Sequence, residues 1–590
     1  MSGNDGSYVK TSYDELDKST DLHYKFNGQR RDVYFHYSDK DNLPLDVKFG
    51  TDSKYIVENN YDELTRLKFK TYTIPNTNSK INTSYSYVDW SGNNSDRTTG
   101  TVRGIDYTYV AEGLSTHDRW YTYDNVGNIL TECSWISSSS KPVQESYTYD
   151  AKNQLVKHDS VSLNAIYTYE YDLGGNIKSK TIYNKDSGAT STINYIYGNS
   201  AWGDELTSYN GESMVYDKIG NPTSYRGWGM TWQGRQLVKA EKDKKLSFTY
   251  DSEGVRTSKT VGSTTTKYLL NGTQILAQTT NGKTLCFFYD QQGNRVGMAD
   301  GNNHFYYYIY NVQGDVIALA DASTGKLVVT YTYDAWGKVL SVNDTTANSV
   351  GTQNPFRYRG YYYDTETSLY YLQSRYYDPE VGRFINADSF VSTGQGTVGS
   401  NMFAYCGNNP IVCVDPTGEF IDTIFDVISL GMSIAEVITR PADPWAWAGL
   451  AGDVIDLIPG VTGVGETIRA AKASKKLVKA GKKIINKKYA GKVYELSGKL
   501  AKKYGSGVKF SKQGFPDFSS FAKETVTVKG LTGKYAKDAK LANQSAGLAK
   551  TPSGYTWHHV EDGRTMQLIP SDLHRAVRHT GGAAVIKYTN

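Results

Sequence analysis

The sequence predicts a mainly β protein. A long sheet of repeated β-hairpins, coiled into a spiral or shell, is followed by an α-rich connector and a small α+β domain in which a hairpin and a helix frame a metal site. Three observations predict this. One aromatic-x-Tyr-Asp unit recurs along the first part of the chain. Residues 471–590 hold 24 Lys and Arg against 7 Asp and Glu, a net of +17, which leaves −13 for the first 470 residues of a chain whose total is +4. Four of the nine His fall between His558 and His579. Two such compositions joined head to tail indicate two machines on one chain.

Composition excludes several classes. At 590 residues the chain holds several domains or one large repeat body. Aromatics reach 13%, 49 of them Tyr, which excludes a disordered chain. Gly is frequent but shows no Gly-X-Y period, so collagen is excluded. Cys133, Cys286, Cys406 and Cys413 are too few to staple the chain and contain no CxxC pair, which excludes a thiolate zinc site. The opening MSGNDGSYVK has no apolar core, so no signal peptide is expected. No stretch reaches 18 uncharged apolar residues, so no membrane-spanning helix is expected.

The repeats come first. The unit appears as YTYDNVGNIL at Tyr121, YTYDAKNQLV at Tyr147, YEYDLGGNIK at Tyr169, FTYDSEGVRT at Phe248, FFYDQQGNRV at Phe287 and YTYDAWGKVL at Tyr331. Alternating aromatics form strands. The Asp and the Gly-Asn pair supply turn chemistry, because Gly and Asn accept positive φ. One hairpin cannot bury its own face, but a row can. Residues 1–353 therefore read as a β shell.

These repeats resemble the YD repeats of bacterial Rhs and teneurin-like proteins. The likeness sharpens over residues 354–418, where NPFRYRGYYYDTETSLYYLQSRYYDPEVGRFINADSF and NMFAYCGNNPIVCVDPTG resemble the core-terminal signature of the Rhs family. The resemblance implies a closed cocoon around a C-terminal effector, a secreted or cell-surface bacterial protein, an effector acting in the target-cell cytoplasm, a secretion or delivery machinery and a cognate immunity protein. Relatives cut themselves near the signature's end with paired acids, which can share a proton and activate water; by position Arg375, Asp378 and Asp388 would serve. This chain has Asp388-Ser389 where the family has Asp-Pro, and no Leu follows Gly418. The same acids also suit turn capping.

Residues 419–470 change character. IDTIFDVISLGMSIAEVITR carries apolar residues at helical spacing, as expected of a helical connector. Its helices would pack on the shell or lie on a bilayer. Residues 471–508 form a Lys-rich segment that includes Lys482, Lys483, Lys487 and Lys488. Lysines neutralise phosphate without reading sequence, although such a run also suits a solvated face.

Residues 509–590 carry the chemistry. Clustered imidazoles suggest a metal site. Gly554–Val560 reads as a strand, Asp562-Gly563 as a tight turn and Thr565–Ile569 as the return strand. Pro570 ends that strand, Ser571 caps a helix running to about Arg578, and Gly581-Gly582 stop it.

GYTWHHVEDGRTMQLIPSDLHRAVRHTGG resembles the WHH branch of the HNH/endonuclease VII superfamily. The match implies a ββα-metal domain with one divalent ion, Mg or Zn. It implies His558, His574 and His579 as ligands, His559 as general base and Gln567 in the place of the Asn that orients the base. Arg564, Arg575 and Arg578 would hold flanking phosphates. His574 and His579 are five apart, about 140° around an ideal helix, so both reach one ion only if the helix ends before His579.

The leading expectation is a polymorphic toxin whose tip is a metal-dependent nuclease, with DNA rather than RNA as the expected substrate. A surface adhesin-like shell with an inert nucleic-acid-binding tail is the alternative, and a zinc hydrolase of another substrate is a third.

Overall fold

In the computed structural model, residues 6–419 and 487–577 are described except 15–17, 40–42, 51–53, 65, 78, 90–97, 110–114, 137–141, 390–399, 490–491, 506, 511–514, 529–530 and 561–564; residues 422–423 and 583 are described as well. The chain divides into two compact units, Met1–Ala442 and Asp443–Asn590. Most of the connector expected over 419–470 lies outside the described residues.

Among the described residues the first unit contains a 17-stranded and a 14-stranded sheet. Each strand pairs antiparallel with its neighbour in sequence. The repeat explains itself in hydrogen bonds. At Asp172, one carboxylate oxygen accepts the backbone N–H of Asn176 at 2.9 Å and the other accepts its side-chain amide at 2.9 Å. Asp124 with Asn128 and Asp217 with Asn221 repeat the arrangement. Gly127 and Gly220 sit at φ 93° and 79°, a region that a Cβ disfavours.

The Tyr that closes a strand ahead of its turn clasps the preceding hairpin, in front of Asp150, Asp172 and Asp334 and also in front of Gly198. Tyr149 donates to the Ile129 carbonyl at 2.7 Å, Tyr171 to Leu155 at 2.6 Å, Tyr197 to Ile177 at 3.0 Å and Tyr333 to Val316 at 2.8 Å. Phe cannot make this bond, which explains why Tyr stands at these positions. The register shifts at this Tyr, as between Thr148 and Tyr149 and between Glu170 and Tyr171. Such bulges bend a strand and raise its twist.

The buried faces of the two sheets meet through aromatics: Phe49 stacks on Phe288 at 4.5 Å between centroids and Tyr55 on Phe305 at 4.3 Å. The segment 354–418 completes this core with Tyr370, Tyr377 and Tyr405 fully buried. Its asparagines bond the repeat turns directly, Asn401 to Asn176 at 2.8 Å, Asn408 to Gln154 at 2.9 Å and Asn409 to Asn128 at 2.7 Å. Buried charges pair across the same contact. Arg256 reaches Asp364 at 2.6 Å, and Lys259 reaches it at 3.0 Å.

In the second unit β1 (Val493–Glu495), β2 (Gly507–Phe510) and β3 (Pro516–Asp517) form one small sheet, and α1 (Gly498–Tyr504) joins β1 to β2. β4 (Glu524–Thr527), β5 (Tyr555–His559) and β6 (Thr565–Pro570) form another in the order β4-β6-β5. α2 (Tyr535–Ser545) precedes β5, and α3 (Ser571–Ala576) follows β6. Two apolar clusters form, one from Leu531, Ala539, Ala542, Trp557, Met566 and Leu568, the other from Val508, Phe510, Phe518, Ile569, Leu573 and Val577. β1 pairs with β2, whose Val508 packs in one cluster with Ile569 and Leu573, so the end of the Lys-rich segment is built into the same fold as the hairpin.

Candidate active site

The WHH hairpin forms as the sequence suggests, and strand alternation decides what each imidazole meets. On β5, Trp557 and His559 point to one face and His558 to the other. Trp557 is 1% exposed and donates from its indole nitrogen to Asn543 on α2 at 2.9 Å. His558 turns the opposite way, against Phe518 and His574.

His558 Nδ1 and His574 Nε2 lie 3.2 Å apart. Two imidazole nitrogens bound 2.0–2.1 Å from one tetrahedral ion stand about 3.3 Å apart, so the pair fits a shared cation. Among the described residues no group of three or more His, Cys, Asp or Glu side chains gathers as a metal cage. His579, the expected third ligand, lies outside the described residues, as do Arg564, Arg578, Lys482 and Lys483. α3 ends at Ala576, with Val577 as its C-cap. The expected helix to about Arg578 is therefore shorter among the described residues. Its N-cap is Pro570 rather than Ser571, with no side-chain cap bond.

Gln567 does not meet His559. The register pairs Gln567 with His558, and its side-chain amide donates to Ser519 at 3.2 Å. The physical reason is the same alternation: the residue opposite His558 shares its face. The group on His559 is Asp538 of α2, whose Oδ2 accepts from His559 Nε2 at 2.8 Å. Asp538 stands 20 residues upstream of His558, carries no motif and is recognisable only once α2 is packed. Burial pushes its carboxyl up, but the Thr532 N–H, His559 and the Thr532 hydroxyl pull it below the ordinary value.

Asp572, in the first turn of α3, accepts from Lys503 at 2.8 Å and Tyr504 at 2.6 Å. These hydrogen bonds lower its pKa to about 2. They tie α1 to the helix that carries His574. Arg575 is exposed on α3, and Lys487 and Lys488 begin a short helical turn at Lys487–Tyr489.

The acids at the shell end separate. Arg375, 4% exposed, pairs with Asp388 at 3.0 Å and Asp415 at 3.1 Å, and its guanidinium also donates to the Gly418 carbonyl. Asp415, which sequence reading passed over, thus joins Arg375 and Asp388. Asp378 is engaged elsewhere, accepting from Tyr225 and from Arg226, both at 3.1 Å. Burial and the nearby Asp388 push the Glu419 carboxyl up, with Arg375 opposing.

Fold and site together define a YD-repeat shell protein that carries a small nuclease-type domain at its C-terminal end. Residues 97–411 match the teneurin YD-shell family, and the chain belongs to it. Residues 548–589 match WHH, a nuclease family of the HNH/ENDO VII superfamily with conserved WHH. The chain is 32% identical over 419 residues to the tRNA nuclease WapA of Bacillus subtilis (strain 168), covering 67% of this chain. It is 31% identical over 421 residues to the tRNA3(Ser)-specific nuclease WapA of Bacillus spizizenii, covering 68% of this chain. The chain spans 17% of the length of each. The crystal structure of TcdB2-TccC3-Cdc42 aligns with a TM-score of 0.58 at 17% identity, over 73% of this chain and 22% of that one, and shares the fold.

Proposed function

We propose that the C-terminal unit hydrolyses phosphodiester bonds of nucleic acid, and that the YD shell encloses it until delivery into a competing cell. One observation carries the reading. Inside a segment matching a nuclease family, His558 and His574 face each other at 3.2 Å from a strand and a helix. They would hold a divalent ion with His579, and an imidazole set suits zinc better than magnesium. When bound, such an ion supplies Lewis-acid stabilisation of charge at the scissile phosphate. His559 takes the proton of the attacking water. Arg575, with Arg564 and Arg578, holds flanking phosphates, and the lysines supply a grip that weakens with salt. A cognate immunity protein and delivery machinery are the partners this reading requires.

The sequence expectation favoured DNA, whereas the two WapA relatives are named for tRNA cleavage. The test therefore offers both. The purified full chain is given plasmid DNA and bulk tRNA with EDTA, then with excess Mg or Zn. Cutting that EDTA stops and metal restores is expected, with H559A folded and about 10²–10⁴-fold slower. Binding without turnover under every condition overturns the reading and leaves an inert binding tail.

A further inference from the structure

Asp538 has no exposed surface, yet it sits on a helix otherwise packed through Ala539 and Ala542. A buried carboxylate costs free energy unless it is paired and hydrogen-bonded. Here every partner is accounted for. Oδ1 accepts the Thr532 N–H and the Thr532 hydroxyl, both at 2.9 Å, and Oδ2 accepts from His559 Nε2 at 2.8 Å. The helix is itself tied to the strand. The Asn543 amide oxygen receives the Trp557 indole N–H at 2.9 Å, and the Tyr535 and Thr556 hydroxyls meet at 2.9 Å. The Thr532 bonds therefore hold the carboxylate, and the carboxylate holds the ring.

We infer that Asp538 is a positioning residue for His559, fixing the ring with its hydrogen on Nε2 and leaving Nδ1 to take the proton of the attacking water. This rests on the nuclease reading above and deepens it. A carboxylate only accepts, so Nε2 must donate, and the lone pair that remains is on Nδ1. In the step, a water O–H bond breaks and its proton goes to Nδ1. The water oxygen forms the new P–O bond, the bond to the departing sugar oxygen breaks, and that oxygen takes a proton from solvent. Asp538 stabilises the imidazolium that forms. Nε2 is the far nitrogen of the ring and is turned into α2. Nδ1 lies nearer the backbone of β5, an edge strand whose last residue is His559.

The test uses the full chain and whichever of plasmid DNA or bulk tRNA it cuts, under single-turnover and steady-state conditions. D538N should lower kcat by about 10–100-fold and leave KM within about twofold, because a base supplies rate rather than affinity. In the H559A background the same change should cost nothing further. A kcat within twofold of the wild type overturns the inference. So does a double variant slower than H559A by the full factor of the single change, since that pattern marks a merely structural role. Where D538N disturbs the near-ultraviolet circular dichroism, T532V replaces it: loss of one donor should lower kcat several-fold at constant KM, and an unchanged kcat overturns the inference. A wild-type chain that cuts neither substrate overturns the nuclease reading and this inference together. An active wild type with an indifferent D538N overturns this inference alone.

Discussion

His558 and His559 are consecutive residues that leave β5 on opposite faces, His558 toward His574 at 3.2 Å and His559 toward Asp538 at 2.8 Å. One dipeptide thus serves two layers of the domain. The His558 face can hold a cation, and the His559 face holds a ring by a buried carboxylate.

The two histidines should therefore separate in experiment. H558A should weaken zinc binding by about tenfold or more, because it removes one ligand of a pair. H559A should leave zinc affinity within about threefold while slowing cutting about 10²–10⁴-fold. Calorimetric titration of both variants beside the nuclease assay checks this, and equal loss of zinc affinity in both would contradict the opposite-face arrangement.

Gln567 should matter less than its place in the motif suggests. Its amide bonds Ser519 and its backbone lies opposite His558, so it does not touch the proposed base. Q567A is expected to retain more activity than D538N, with the loss in metal affinity rather than in kcat at saturating metal. The two variants assayed across a zinc series decide it.

The shell should depend on Asp364. Its carboxylate is 0% exposed and shared by Arg256 and Lys259, and removing it leaves a buried guanidinium uncompensated. D364A should destabilise the first unit by about 3–5 kcal/mol in denaturant unfolding. Burial pushes this carboxyl up, but the charges of Arg256 and Lys259 bring it below the ordinary value. A carboxyl depressed in the folded state contributes fully above its ordinary pKa, about 3.9, and the contribution is lost as pH falls through the lower folded value. Acid unfolding should thus be shallower in D364A than in the wild type.

The Tyr clasp should be worth about 1 kcal/mol at each turn. Y171F removes one hydroxyl donor to the Leu155 carbonyl and keeps the ring. A fall of about 1 kcal/mol in denaturant stability is expected, and no change would mean that water replaces the bond at no cost.

Much of this was legible in the chain. The Tyr-Asp repeat is local: the Asp, the Gly and the Asn of one turn satisfy each other within five residues, as Asp172 and Asn176 do. The hairpin at Trp557–His559 was legible for the same reason, since strand period and turn residues are short-range signals. The bonds between Asn401, Asn408 and Asn409 and the turns at Asn176, Gln154 and Asn128 were not, because more than 220 residues separate the partners. The expected trio of Arg375, Asp378 and Asp388 does not form as a group for a related reason: packing brings Asp378 to Arg226, 152 residues away, while Asp415, 40 residues along the chain, joins Arg375.

By itself the sequence determined that this is a row of hairpins followed by a basic domain with clustered imidazoles, because alternation, turn residues and charge are properties of short windows. Tertiary structure alone decided which helix covers which face of the WHH strand. Alternation says that neighbours on a strand part company, but only packing brings Asp538 to one side and His574 to the other.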